Sequence, residues 1–471
     1  MGALRLQETT VGNLVKWCGG ELVSGNPDTV VTSLCTDSRK IEKGSVFVAL
    51  RGENFDGHQF LQTAAESGAR ALVGETGPEG PCGAAFIRVG DTRAALLWIA
   101  AGYREQFPIP LVGVTGSVGK TTTKEMIASV LSQKYNCLKT EGNFNNEIGL
   151  PLTLLHLDDT HGAGVVEMGM SGFGEISRLT RAARPQIAVI SNIGMSHIGQ
   201  LGSQENILKA KLEILEGLQP GGLLVLNRDD KLLRDVKSDF ETCWYGIAED
   251  GLTALYMTGN DWGVFASEVR TDANSCSFRL HLPDGKAYPV TLPLAGRHNV
   301  YNALAAAGCG WRLGVPGEDI VTGLSQAQTV GLRMQAEQVG EMTLLVDCYN
   351  ASPDSMRAAL LVLKGTPAAR RIAVLGDMLE MGRFSKEAHA AVGRFAAENG
   401  TDLLVCVGEH AGDLADGARQ AGVSEVFGFS EKEEAKRFLN SNMKPGDCLL
   451  VKGSRGMRME EICAYIRSAA R

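Results

Sequence analysis

The chain has 471 residues, too many for one ordinary hydrophobic core, and typical domain sizes divide it into about three units. With 44% hydrophobic and 21% charged residues it has the composition of a soluble globular protein, which excludes a largely disordered or membrane-embedded chain. Its 46 basic and 54 acidic residues leave a net charge of -8, so no bulk field favours nucleic acid or an anionic membrane, and an anionic ligand needs local cations.

The 11 cysteines are scattered singly from Cys18 to Cys463 without a C-x-x-C pair, which points to reduced thiols rather than zinc or a disulfide framework. No basic segment followed by an apolar run opens the chain, and no stretch reaches the roughly 18 apolar residues of a membrane span. A cytoplasmic monomer without membrane insertion or a nucleic-acid partner is expected.

Along the chain, an amphipathic pattern over Ala94 to Phe107 predicts a helix that ends at Phe107-Pro108-Ile109-Pro110, because X-Pro pairs disfavour helix. The first domain boundary is set there. The apolar run Leu111-Val112-Gly113-Val114 then predicts a buried strand, as do Gly164 to Val166, Ile187 to Ile190 and Leu223 to Leu226. After about residue 328 a second series follows, at Leu344 to Val346, Ile372 to Leu375, Leu403 to Val407 and Leu449 to Val451. The expectation is an α/β chain of three domains, 1–107, 108–328 and 329–471, with a mostly parallel central sheet. Nearly every run ends in polar or glycine residues, where open α/β sheets bind ligands.

The segment Gly113 to Thr123 joins a predicted strand to a helix over Lys124 to Leu131 and contains Gly116-Ser117-Val118-Gly119-Lys120-Thr121-Thr122. Its glycines allow backbone N–H groups to cradle phosphate, Lys120 carries charge to the β/γ-phosphates and the Thr121 hydroxyl suits Mg²⁺. Val114 occupies the first glycine position of the strict P-loop pattern, so the loop is a variant. Glu167 closes the next strand and His197 follows Ser191-Asn192-Ile193-Gly194, so both can face the loop. Taken alone, either is also an ordinary strand-end or loop residue.

A helix predicted from about Asn206 to Leu218 carries two lysines. Lys209 lies four residues from both Glu205 and Glu213, a solvated charge face. Lys211 shares a stripe with Ile207, Ile214 and Leu218, where an uncompensated ammonium is costly. It either snorkels to water or is tightly paired or chemically altered.

The ordered segments Thr115 to Met126, Gly142 to Thr153, Glu167 to Met170, Arg297 to Leu304, Asp347 to Met356, Val374 to Glu380 and Val451 to Arg455 resemble the Mur ligase family over nearly the whole chain. The resemblance implies an N-terminal UDP-binding domain, a central P-loop ATPase domain and a C-terminal Rossmann-like domain. It further implies ATP and Mg²⁺ as cofactors, and a metal site of Thr121, Glu167, His197 and a carbamylated Lys211 whose carbamate binds Mg²⁺. By the same resemblance Asn299 is an adenine contact, and Arg333 and Asp347 are nucleotide contacts. Arg333 follows Gly331-Leu332 rather than pairing directly with a glycine as in the family.

The paired asparagines, the Asp347 segment and Lys452-Gly453-Ser454-Arg455 point, within that family, to substrates UDP-N-acetylmuramoyl-tripeptide and D-alanyl-D-alanine. Asp37, Ser38, Arg39 and His58 fall in UDP-substrate segments, and Asn145 and Asn146 in the muramoyl-peptide segment. Asn350, Asp354, Lys452, Ser454 and Arg455 fall in segments that hold the dipeptide. Ligation through an acyl phosphate is the expected chemistry. The nearest rival is another amide ligase of the same superfamily, which the Asp347 segment argues against; a P-loop hydrolase that turns over nucleotide alone and a non-catalytic UDP-sugar sensor are the others.

Overall fold

The computed structural model describes residues 3–52, 54–248, 261–328, 331–423 and 425–469. Its backbone forms three sheets, one per domain, giving a three-domain α/β architecture. The second expected boundary, between 328 and 329, adjoins residues outside the described set.

The first sheet has six strands in the spatial order Leu4–Thr10, Val30–Cys35, Ser45–Val48, Ala71–Gly74, Ala85–Arg88 and Glu21–Ser24. The pairs from Val30–Cys35 to Ala85–Arg88 are parallel and the two edges antiparallel. The helix Thr92–Arg104 follows, with the Asp91 carboxylate accepting from the Arg93 and Ala94 N–H groups at its start. It ends before Pro108, as the X-Pro reading expects.

The central sheet has nine strands. Leu111–Thr115 lies between Ile187–Ile190 and Ala163–Glu167, with Leu223–Asn227 beyond Ile187–Ile190, all parallel. These four were legible as apolar runs because both faces are covered, and every residue in them is buried. Sequence reading missed the extension through Glu241–Ile247, Trp262–Thr271, Cys276–His281 and Ala287–Leu292. The last two alternate buried and open positions, and Pro289 lies in the edge strand, where a missing N–H is tolerated.

The C-terminal sheet runs Gln335–Val339, Met342–Asp347, Asp447–Lys452, Arg370–Gly376, Leu403–Val407 and Glu425–Phe429, parallel except for the first hairpin. Its interior strands match the expected runs. The helix expected over 206–218 is instead an α-helix Gln204–Leu212 followed by a 3-10 turn Glu213–Gly217. Glu213 does not complete a charge ladder with Lys209. Its carboxylate accepts from the Gly174 and Ser177 N–H groups at the start of the helix Glu175–Ala183, where negative charge is favoured.

The first two domains are joined at Tyr103, which is fully buried. Its hydroxyl accepts from Gln7 N at 2.9 Å and donates to Leu157 O at 2.8 Å. Tyr103→Phe leaves both backbone groups unpaired and should destabilise the protein by about 1–3 kcal/mol. Urea denaturation checks this; an unchanged midpoint would mean that the bridge contributes nothing.

Candidate active site

The loop after Leu111–Thr115 is forced into its shape by the neighbouring strand end. Gly116 has φ 150°, and a Cβ there would lie 1.9 Å from Ser191 Oγ. Gly119 has φ 84°, and its Cβ would meet Asn302 Oδ1 at 2.8 Å. These positions need glycine. Ser117 N donates to Asn192 O, Val118 N to Asn192 Oδ1, and Gly194 N to Ser117 Oγ. The helix Lys120–Leu131 therefore starts at a fixed point, with its N–H groups aimed at the space beyond the sheet. It begins four residues earlier than the sequence reading.

Lys120 Nζ donates to Gly116 O at 2.9 Å, folding the side chain back over the loop. Thr121 Oγ1 donates to Glu167 Oε2 at 2.8 Å, and Asn145 Nδ2 to Glu167 Oε1, also at 2.8 Å. Thr140 Oγ1 holds the Glu167 backbone N–H at 3.0 Å, a support that the sequence did not signal. Loop, buried carboxylate and the half-buried Asn145 are thus linked by hydrogen bonds.

Lys211 is 2% exposed, as its stripe predicted, and Lys209 is exposed. The snorkelling alternative fails because the side chain does not reach water. Among the described residues no acidic side chain pairs with its ammonium. Burial, with the like-charged Lys120 adding to it, pushes its pKa well down. Burial also lowers the Lys120 pKa, with Glu167 opposing the shift. Among the described residues no group of three His, Cys, Asp or Glu side chains is arranged to hold a metal. Thr121 and Glu167 offer hard oxygen atoms suited to Mg²⁺. A second anionic oxygen donor would have to come from elsewhere.

One cavity of about 460 Å³ is walled by both the central and C-terminal domains. Gly119 to Thr122, Ser117, Asn145, Asn146, Glu167, His197 and Asn299 line it from one side, and Arg333, Asp347, Asn350 and Lys452 from the other. Several of these side chains are already committed. Asn299 bonds Ala295 O and Asn302, and Asn146 Oδ1 accepts from Ile148 and Gly149 N–H, the turn role that asparagine pairs favour. Lys452 pairs with Asp347 at 2.6 Å and donates to Asn350 O, while the Arg333 guanidinium stacks 4.0 Å from the Tyr349 ring centre.

Asp354 is not in the cavity wall. Its Oδ2 accepts from Met195 N at 2.9 Å, tying the C-terminal domain to the segment after Ile187–Ile190. Ser454 and Arg455 line an adjoining cavity instead. Asp37, Ser38, Arg39 and His58 lie in the N-terminal domain, away from both cavities. There Asp37 and Arg39 bond each other, with Arg39 holding the Asp37 carboxyl down to about 2. His58 is used by Asp56 and by Glu75 N.

A residue that sequence reasoning did not single out, Glu380, brings its Oε2 to 2.7 Å from His197 Nδ1 across the two domains, a close polar contact that is not aligned as a hydrogen bond. The ring beside it holds the Glu380 carboxyl below its usual range. The loop bearing Glu380 is braced by His389, whose buried ring accepts from Met378 N through Nε2 and donates from Nδ1 to Ser385 O. Asp377 Oδ1 lies 4.0 Å from Nε2. That nitrogen is an acceptor, so the two form no ion pair.

Three stretches match family models, described as Mur ligase family, catalytic domain (residues 30–104), Mur ligase middle domain (114–310), and Mur ligase, glutamate ligase domain (332–455). The chain is 38% identical to the UDP-N-acetylmuramoyl-tripeptide–D-alanyl-D-alanine ligase of Bacillus subtilis, covering 96% of this chain and 97% of that one. It is 39% identical to the ligase of the same name from Synechocystis, over 93% and 92%. Among solved structures it is similar to MurF from Acinetobacter baumannii, with a TM-score of 0.90 and 34% identity over 98% of this chain and 100% of that one. It is also similar to the ADP complex of the MurF ligase of Thermotoga maritima, with a TM-score of 0.81 and 27% identity over 93% and 97%.

Burial lowers the His389 pKa below its ordinary 6.5, so the unfolded chain takes up this proton before the folded one does. Its contribution to stability is therefore complete above pH 6.5 and is lost as pH falls toward the lowered folded value. His389→Asn should flatten that acid limb of a stability-against-pH curve, and an unaltered limb would remove His389 as its cause.

Proposed function

The chain belongs to the Mur ligase family, and from that premise we infer that it is an ATP-dependent ligase joining the terminal carboxylate of UDP-N-acetylmuramoyl-tripeptide to the amine of D-alanyl-D-alanine in peptidoglycan precursor synthesis. The observation that carries the reading is a single cavity with the phosphate loop on one wall and cationic C-terminal side chains on the other. A free carboxylate is a poor electrophile, and phosphorylation turns it into one. The tripeptide carboxylate oxygen attacks the γ-phosphorus and ADP leaves. The dipeptide nitrogen then attacks the acyl phosphate carbon, loses a proton, and phosphate departs.

Lys120 and the N–H groups at the start of Lys120–Leu131 are positioned to compensate negative charge on the transferring phosphoryl group. Mg²⁺, when bound, shares that task; Thr121 and Glu167 are the residues proposed to hold it, with His197 beside them. We assign Lys211 a carbamate. Its neutral amine attacks the carbon of CO₂ and releases a proton, replacing a buried unpaired base by a carboxylate next to Lys120. The unpaired burial of Lys211 supports this assignment.

The C-terminal domain must lie over the phosphate loop for transfer to occur without water, and Asp354 on Met195 N is one tie that favours that arrangement. Among the described residues no helix is long and apolar enough to cross a membrane, and all 11 cysteines are free thiols. Both facts suit a cytoplasmic enzyme. One chain supplies both walls of the cavity, which fits action as a monomer.

Phosphate release from ATP should require both UDP-N-acetylmuramoyl-tripeptide and D-alanyl-D-alanine and yield a pentapeptide product by mass. Turnover without the acceptor would favour a hydrolase, and binding without turnover a sensor. For Lys211, protein equilibrated with ¹³C-bicarbonate should show a carbamate carbon resonance that vanishes in Lys211→Ala, with activity falling at least about 100-fold. Equal spectra from the two proteins would rule the carbamate out.

A further inference from the structure

We propose that Glu380 receives the ammonium group of the incoming dipeptide, in a pocket where Arg455 receives its carboxylate. The inference rests on the ligase reading above and assigns the acceptor's own contacts.

A cavity of about 260 Å³ adjoins the nucleotide cavity and shares His197, Tyr349 and Asn350 with it. Among the described residues that line it, Glu380 is the one carboxylate and Arg455 the one guanidinium. A dipeptide zwitterion offers one ammonium, one carboxylate and small apolar side chains between them. Leu379, 46% exposed, provides apolar surface in the same wall.

The other charged groups of this region are committed. Lys452 is paired with Asp347 and Asn350 O, and Asp354 with Met195 N. Arg455 has one contact, to Glu460 at 2.8 Å, with 56% of its side chain exposed, so donors remain for a carboxylate. Glu380 is 55% exposed at its side chain and touches His197 through one oxygen, so the other is available.

The loop is built to present Glu380. Its φ is 64°, unusual for a side chain of this size, and the surroundings enforce it. Met378 N is held by His389, Leu379 N by Ser454 Oγ, and Ser454 N donates to Asp377 O. The Asp377 carboxylate in turn accepts from Glu409 and His410 N–H groups. Gly199 N donates to Glu380 O at 3.2 Å, and a Cβ on Gly199 would strike that oxygen at 2.5 Å. This contact sets Glu380 against the central domain beside His197, so an ammonium bound there sits where the acceptor pocket meets the nucleotide cavity. The amine that must attack the acyl phosphate is thereby held at that junction.

The test compares wild type, Glu380→Gln and Glu380→Asp in ligation assays that vary each substrate in turn. D-lactyl-D-alanine, with a hydroxyl in place of the amine, serves as a competitive inhibitor. In Glu380→Gln the KM for D-alanyl-D-alanine should rise about tenfold or more, with partial recovery in Glu380→Asp. The KM values for ATP and UDP-N-acetylmuramoyl-tripeptide should stay within about twofold. Inhibition by D-lactyl-D-alanine should be the same in wild type and Glu380→Gln, because it brings no ammonium. An unchanged dipeptide KM overturns the proposal, as does a parallel rise in all three KM values, which would mark Glu380 as only a tie between domains. A wild type that ligates no dipeptide sinks the ligase reading instead, and this assignment with it.

Discussion

A buried lysine without an anionic partner is the constraint around which the centre of this protein is arranged. Lys211 lies close enough to Lys120 for their like charges to oppose each other, and Glu167, the carboxylate that acts on Lys120, already gives one oxygen to Thr121 and the other to Asn145. One fully engaged carboxylate leaves no anion to spare for the buried Lys211, and charge is felt strongly in a place shielded from water. Such a site attracts polyphosphate, and it costs stability while nothing negative is present. Nucleotide phosphates placed against the loop would act on that imbalance.

The rigid part of the site is made by backbone contact rather than by side chains. Gly116 lies so close to Ser191 that no side chain fits between them, and Asn192 and Gly194 bond the loop on the other side. Phosphate loop and neighbouring strand end therefore move as one body. The C-terminal domain meets this body at Met195 to Gly199, through Asp354, Glu380 and the close approach of Gly199 to the 380–382 backbone. Every one of those contacts falls within eight residues of the loop's own bracing at Ser191 and Asn192. A change in how the C-terminal domain sits is thus delivered to the segment that carries His197 before it reaches the phosphate loop.

Strands buried on both faces were readable from sequence because such positions take an uninterrupted apolar run, and Ile187–Ile190 and Leu403–Val407 were found to the residue. The edge extension over 276–292 was not, since its two half-buried strands alternate and one contains proline. Lys211 was legible because its spacing put a charge on an apolar stripe. Glu380 was not, because a glutamate in a loop is the commonest of surface residues. Only the fold reveals that its backbone is held in the left-handed region and its carboxylate set against a histidine from another domain.

The same comparison separates residues that can still bind a ligand from those spent on the fold. Asn146, Asp354 and His58 all sit in segments that sequence pointed to, yet each has its side chain engaged by nearby backbone N–H groups. A side chain that accepts from backbone in this way is costly to redirect, because the freed N–H would need another partner. Lys452 is similarly fixed by Asp347. Recognition of a small zwitterion must therefore fall to side chains with unused donors and acceptors, and in the adjoining cavity, which Lys452 does not line, that condition selects Glu380 and Arg455.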